Sequence, residues 1–124
     1  MTRTTALFAL PALLALGAAA QADCAYPQAP SDIPNGSKAT KDQMLAAQGE
    51  IKAYRAAVEE AYLPCLEKEK NDSLATLDAA DPEYATKKGA IEAIHAKKHN
   101  AALDELTAVA GRWSEEIKAF GAKK

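Results

Sequence analysis

Met44, Ala47, Ile51, Tyr54, Val58, Tyr62 and Cys65 follow one another at steps of three and four residues, which predicts one apolar face of a helix. Just ahead of them, Thr40-Lys41-Asp42-Gln43 has the spacing of a capping box. The Thr40 hydroxyl and the Gln43 side chain can each satisfy a free amide, and Asp42 sits at the favourable end of the helix dipole. The first helix therefore begins near residue 41. A second stripe, Ile91, Ile94, Lys98, Ala102, Leu106, Val109, Trp113, Ile117 and Phe120, steps at an average of about 3.6 residues, with Lys98 its one polar member.

Two signals divide this helical region. Pro64 has no amide for the carbonyl of Glu60 and its ring crowds that turn, at a cost of about 3 kcal/mol. Because Leu66 to Lys70 and Leu74 to Ala80 again favour helix, the pattern predicts a kink there, with a break at Asn71-Asp72-Ser73 as the alternative. At Asp81-Pro82-Glu83 the signals agree on a new start: Asp81 can cap, Pro82 suits the first helical position and Glu83 complements the dipole.

Two long helices over about 41–79 and 82–119, joined by a very short turn, must run antiparallel. Folding the chain about residues 80 and 81 brings Ile117 beside Met44, Val109 beside Ile51, Leu106 beside Tyr54 and Tyr84 beside Leu77. Each helix would be somewhat under 60 Å long, at about 1.5 Å per residue. The seam is rich in alanine, so a bare hairpin buries little apolar area per residue and needs further cover.

That cover can come from residues 23–39, where Pro27, Pro30, Pro34 and Gly36 exclude a helix and favour an extended arm. Tyr26 and Ile33 are its apolar members, and dimerisation into a four-helix bundle is the other way to complete the core. The predicted class is all-α: a long antiparallel two-helix hairpin, kinked near Pro64, with a Pro-rich arm.

The first 22 residues read as a secretory signal, with a basic start at Arg3, an apolar stretch from Ala6 to Leu16 and small residues in Ala20-Gln21-Ala22. The apolar stretch contains Pro11 and is too short to span a bilayer, which takes about 20 residues. Export to the periplasm or beyond is the expected location. Asp23 stands where lipoprotein processing needs a small residue, so Cys24 is not expected to be lipidated. In an exported chain with two cysteines, Cys24 and Cys65 are expected to form a disulfide that clamps the arm to the first helix.

The whole chain carries 15 basic and 17 acidic side chains, and loss of Arg3 with the signal leaves a net charge of about −3. That balance argues against a nucleic-acid partner. The constellation with plausible metal chemistry is Glu92, His95 and His99, whose spacing puts three donors on one helical stripe for zinc or copper. Ala96 stands where a metalloprotease helix needs glutamate. Packing alone also accounts for the pair, as two half-exposed histidines near the disulfide bonding to Tyr62 or water. Tyr54, Tyr62, Trp113 and Phe120 lie on the apolar stripes and are expected in the core, while Asn100, polar beside the predicted seam, either fixes the register or faces solvent. No nucleophile stands beside a base and no glycine loop offers a phosphate cradle. The expectation is a protein without catalytic activity or cofactor, acting through a homodimer or an envelope partner. The alternative is a periplasmic metal or small-ligand binder using Glu92, His95 and His99.

The set Cys24-Ala25-Tyr26-Pro27, Pro30, Ile33-Pro34-x-Gly36, Met44-Leu45-x-Ala47, Tyr62-Leu63-x-Cys65-Leu66-Glu67 and His99-Asn100-Ala101-Ala102-Leu103-Asp104-Glu105 resembles a group of short exported bacterial proteins of unknown function. The resemblance implies a signal peptide, a proline-rich arm with one cysteine and a helical hairpin with the other. It implies an ordinary helix former at the position of Pro64, and it carries no activity over.

Overall fold

The computed structural model describes residues 23–123, so the expected signal segment lies outside the described residues. All regular structure among them is helical: α1 Lys41–Ala56, a π-helical segment Ala57–Tyr62, α2 Leu63–Ala75 and α3 Tyr84–Gly121. α1, the π segment and α2 form one unbroken run that packs against α3 as a hairpin, and residues 23–39 form the extended arm. None of these helices is long and apolar enough to cross a membrane.

α1 starts where its capping box predicts. The Gln43 amide donates to the Thr40 hydroxyl at 3.2 Å and the Thr40 amide to the Gln43 side chain at 2.8 Å. Pro64 does not end the run, because the chain passes into it through the π segment, whose wider turn has the Leu63 amide donating to the Val58 carbonyl. The extra residue has a packing consequence. Tyr54, Val58, Tyr62 and Leu66 are each four apart, a spacing that drifts about 40° per step on an α-helix, yet all four are buried in one cluster.

The helix ends at Ala75, not at 79, and the alternative break at Asn71-Asp72-Ser73 does not occur. Ser73 donates back to the Glu69 carbonyl and the Thr76 hydroxyl to the Ser73 carbonyl. The Thr76 and Leu77 amides make tighter bonds to Ser73 and Leu74 that close the last turn. The connection is therefore a loop over 76–83, longer than the expected turn. Asp81 organises it by accepting from the Glu83 amide and from Lys87, and α3 begins at Tyr84, not at 82.

Along α3 the positions turned toward the rest of the fold include Ile91, His95, Lys98, Ala102, Leu106, Val109, Trp113, Glu116 and Phe120. Two residues of the predicted stripe are displaced: Ile94 is 55% and Ile117 47% exposed, and His95 and Glu116 hold the adjoining seam positions. The cause is that both polar side chains have partners inside. The core cluster is Tyr54, Val58, Tyr62, Leu66, Ala102 and Val109, with Cys24, Ala29, Ile33, Ile51, Leu63 and Leu106 packed against it.

The arm runs antiparallel to α1 and supplies the missing cover. Cys24 is disulfide-bonded to Cys65 across 41 residues of sequence, a closure that stabilises a fold by about 4 kcal/mol in the chain-entropy view. The Tyr26 ring packs edge-on against Tyr62 at 4.9 Å, and Ala29 and Ile33 lie on the core. At the far end Gly36 is buried against α3. A Cβ there would lie 1.9 Å from the Glu116 carbonyl oxygen, so the close approach of arm and helix requires glycine.

Candidate functional site

Two places carry polar or apolar groups in excess of what the hairpin needs. The first is the corner where the disulfide meets α3. Glu69 lies one turn beyond Cys65 on α2, and its Oε1 accepts from Lys98 Nζ at 3.0 Å and faces His95 Nε2 at 3.2 Å. His95 Nδ1 is 2.8 Å from the Ile91 carbonyl oxygen, which can only accept, so that nitrogen carries hydrogen. Both ring nitrogens donate only in the imidazolium form, which then completes an ion pair with Glu69. The Lys98 hydrogen bond is the chief reason that the Glu69 carboxyl lies below its ordinary range; burial opposes it, and the Cys24 backbone amide and His95 add to the lowering. Lys98 is raised reciprocally, chiefly by Glu69. Glu69 Oε2 is buried without a hydrogen-bond partner of its own.

The predicted donor set is divided by this arrangement. His95 is buried and committed to Ile91 and Glu69, which corrects the expectation of a half-exposed ring bonding to Tyr62 or water. Glu92 is exposed and paired with Lys88, which it holds above the ordinary lysine range. His99 is exposed. All three line a cleft of about 420 Å³ with Leu63, Leu66, Glu67, Lys70, Ala96 and Asn100. Among the described residues no three His, Cys, Asp or Glu side chains are grouped to hold a metal ion.

Sequence reasoning missed Glu69 and Glu116. The available signal was Lys98, since a lysine within an apolar stripe calls for a buried anion, and Glu69 shares a face with Cys65. Glu116 Oε2 accepts from the Gly36 amide at 2.6 Å. Tyr26 is stitched in the same way. Its hydroxyl donates to Glu105 Oε2 at 2.7 Å and accepts from the Tyr54 hydroxyl at 2.9 Å. Desolvation first, and then these two hydrogen bonds, push its ionisation far above the ordinary tyrosine range.

The second place is the side of the hairpin away from the arm. Here Ile51, Leu106, Val109, Ala110 and Trp113 line a groove of about 460 Å³, with Gln48, Lys52, Arg55, Glu59 and Thr107 on its rim. Leu103, 38% exposed, and Ile117 extend the same side of α3 beyond the groove. Nothing else in the described chain covers it, and its floor offers apolar contact. Comparison finds no family model, curated protein or solved structure that matches the chain. The disulfide is compatible with an oxidising, exported location.

Proposed function

We propose that this is an exported, non-catalytic helical protein of the cell envelope that works by docking protein on the bare side of its hairpin. The observation that carries the reading is the contrast between the two sides. The arm is packed and bonded onto one, while the groove around Leu106, Ala110 and Trp113 is left apolar and open in a chain with 26% charged residues. Against the disulfide corner, the hairpin is held rigid by a covalent bond and an ion-pair cluster, which suits a docking scaffold more than a site that must move.

The test is photocrosslinking in cells. A photoreactive side chain at Leu103 is expected to give a protein adduct, and one at the exposed Lys97, on another side of α3, is expected to give none. Absence of any adduct at Leu103 while the protein is exported and oxidised removes the proposal.

A further inference from the structure

The two flanks of α1 carry opposite charge. On the arm flank, Glu50 lines the cleft beside the arm together with Asp32. On the bare flank, Lys52 and Arg55 rim the groove with Glu59. Glu59 is already answered by Arg55 at 3.1 Å, and Lys52 has no ion-pair partner among the described residues. Lys41, three helical turns before Lys52, falls within about 20° of it around the helix and extends the same edge. The facing rim on α3 is uncharged at Thr107 and Ala110. In a chain of net charge −2, the groove thus has a cationic edge.

The shape restricts what can enter. Ile51, Leu106 and Trp113 are half-buried and Val109 is buried, so the apolar floor lies below the two helical rims. A flat lipid surface would rest on the rims without reaching it. An extended peptide would leave its own amides and carbonyls unmatched, because the backbone groups of α1 and α3 are spent on their own hydrogen-bond ladders. A helix meets both conditions: it is a cylinder that fits between two others, and it satisfies its own backbone.

We infer that the occupant of the groove is an amphipathic helix of a partner protein, apolar on the face it buries and acidic on the flank that meets Lys52. This rests on the docking reading above and gives it a partner class. From Gln48 to Glu59 the groove runs about 16 Å, the length of three turns of such a helix. Apolar residues one and two turns apart reach the floor, as in other helix-in-groove contacts. The carboxylates opposite Lys52 set the orientation and favour acidic over basic partners, more than they add affinity. So small a contact makes a reversible complex, not a permanent one.

The chain has one tryptophan, Trp113, and it lines the groove, so its emission reads occupancy directly. The probes are two helical peptides of about 16 residues with the same leucine stripe, one flanked by glutamates and the other by lysines. With the oxidised, exported protein, the glutamate peptide is expected to shift Trp113 emission to the blue, and added salt to weaken it. The lysine peptide is expected to bind at least about fivefold more weakly. Lys52→Glu, at an exposed position and with its helical circular dichroism retained, is expected to weaken the glutamate peptide and strengthen the lysine one. Comparison of the two peptides on the wild type keeps the test decisive if that variant does not fold. Equal binding of the two peptides, a preference that Lys52→Glu leaves unchanged, no shift at all, or a shift with anionic phosphatidylglycerol vesicles in place of the peptide overturns the inference. The two readings fail differently: a Leu103 probe that still captures a protein in cells while the glutamate peptide fails sinks only the acidic-helix assignment, and no adduct at all sinks both.

Discussion

On the side that the arm covers, Tyr26 is held by Tyr54 and Glu105, Gly36 by Glu116, Lys98 by Glu69, and Cys24 by a covalent bond to Cys65. On the opposite side, Leu103, Leu106, Ala110, Trp113 and Ile117 present apolar surface with no such stitching. Both sides belong to the same thin hairpin, whose alanine-rich seam buries little by itself. The difference teaches that its stability and its recognition are separable: polar and covalent contacts fix one side in a single register, and the other is left to non-directional burial, which a partner can share.

The largest break in that contrast should come from the disulfide. Cys24→Ser with Cys65→Ser is expected to lower unfolding free energy by about 4 kcal/mol, read by denaturant titration, and to free the arm to protease. Gly36→Ala should come next, with a loss of about 2 kcal/mol, since the new methyl meets helix backbone that cannot step aside. The far end of the arm should then exchange its amide hydrogens faster while the Cys24 end stays protected.

Glu69→Gln is expected to cost about 2 kcal/mol at neutral pH through its charged hydrogen bonds, and to change the acid response. The folded-state pKa of Glu69 lies below its unfolded value of 4.5, so the folded chain binds that proton less readily. Its stabilisation is complete above about pH 4.5 and is lost as pH falls through the folded value. The slope of stability against pH in that acid range should flatten in the glutamine variant, and an unchanged slope would mean that Glu69 is not a source of the acid sensitivity. Tyr26→Phe removes only the hydroxyl bridge and should cost about 1 kcal/mol. Smallest of all on the bare side, Leu103→Ser should shift the stability of a single chain by less than about 0.5 kcal/mol while weakening association.

Much of the fold was legible because its signals are local. The Thr40 capping box, the proline-rich arm, the Cys24–Cys65 pair and the face from Met44 to Tyr62 each follow from neighbours in sequence or from the chemistry of an exported cysteine pair. The loop over 76–83 was less so, since side-chain bonds from Ser73, Thr76 and Asp81 to backbone groups compete with helix propensity there. The candidate site was legible only in part. His95 was visible as a potential ligand, but its burial against Glu69 depends on a residue 26 positions away on another helix.

The sequence by itself thus determined an all-helical hairpin, its first cap, its arm and the two residues able to clamp it, because helix periodicity, capping and disulfide pairing are properties of the chain and its chemistry. Only the tertiary structure decided two positions of the inward stripe of α3. Ile94 and Ile117 are as apolar as their neighbours, yet His95 and Glu116 take the inner positions because Glu69 and the Gly36 amide wait for them there. A hydrophobicity pattern records what each side chain prefers against water, and says nothing of the partner that a packed neighbour supplies.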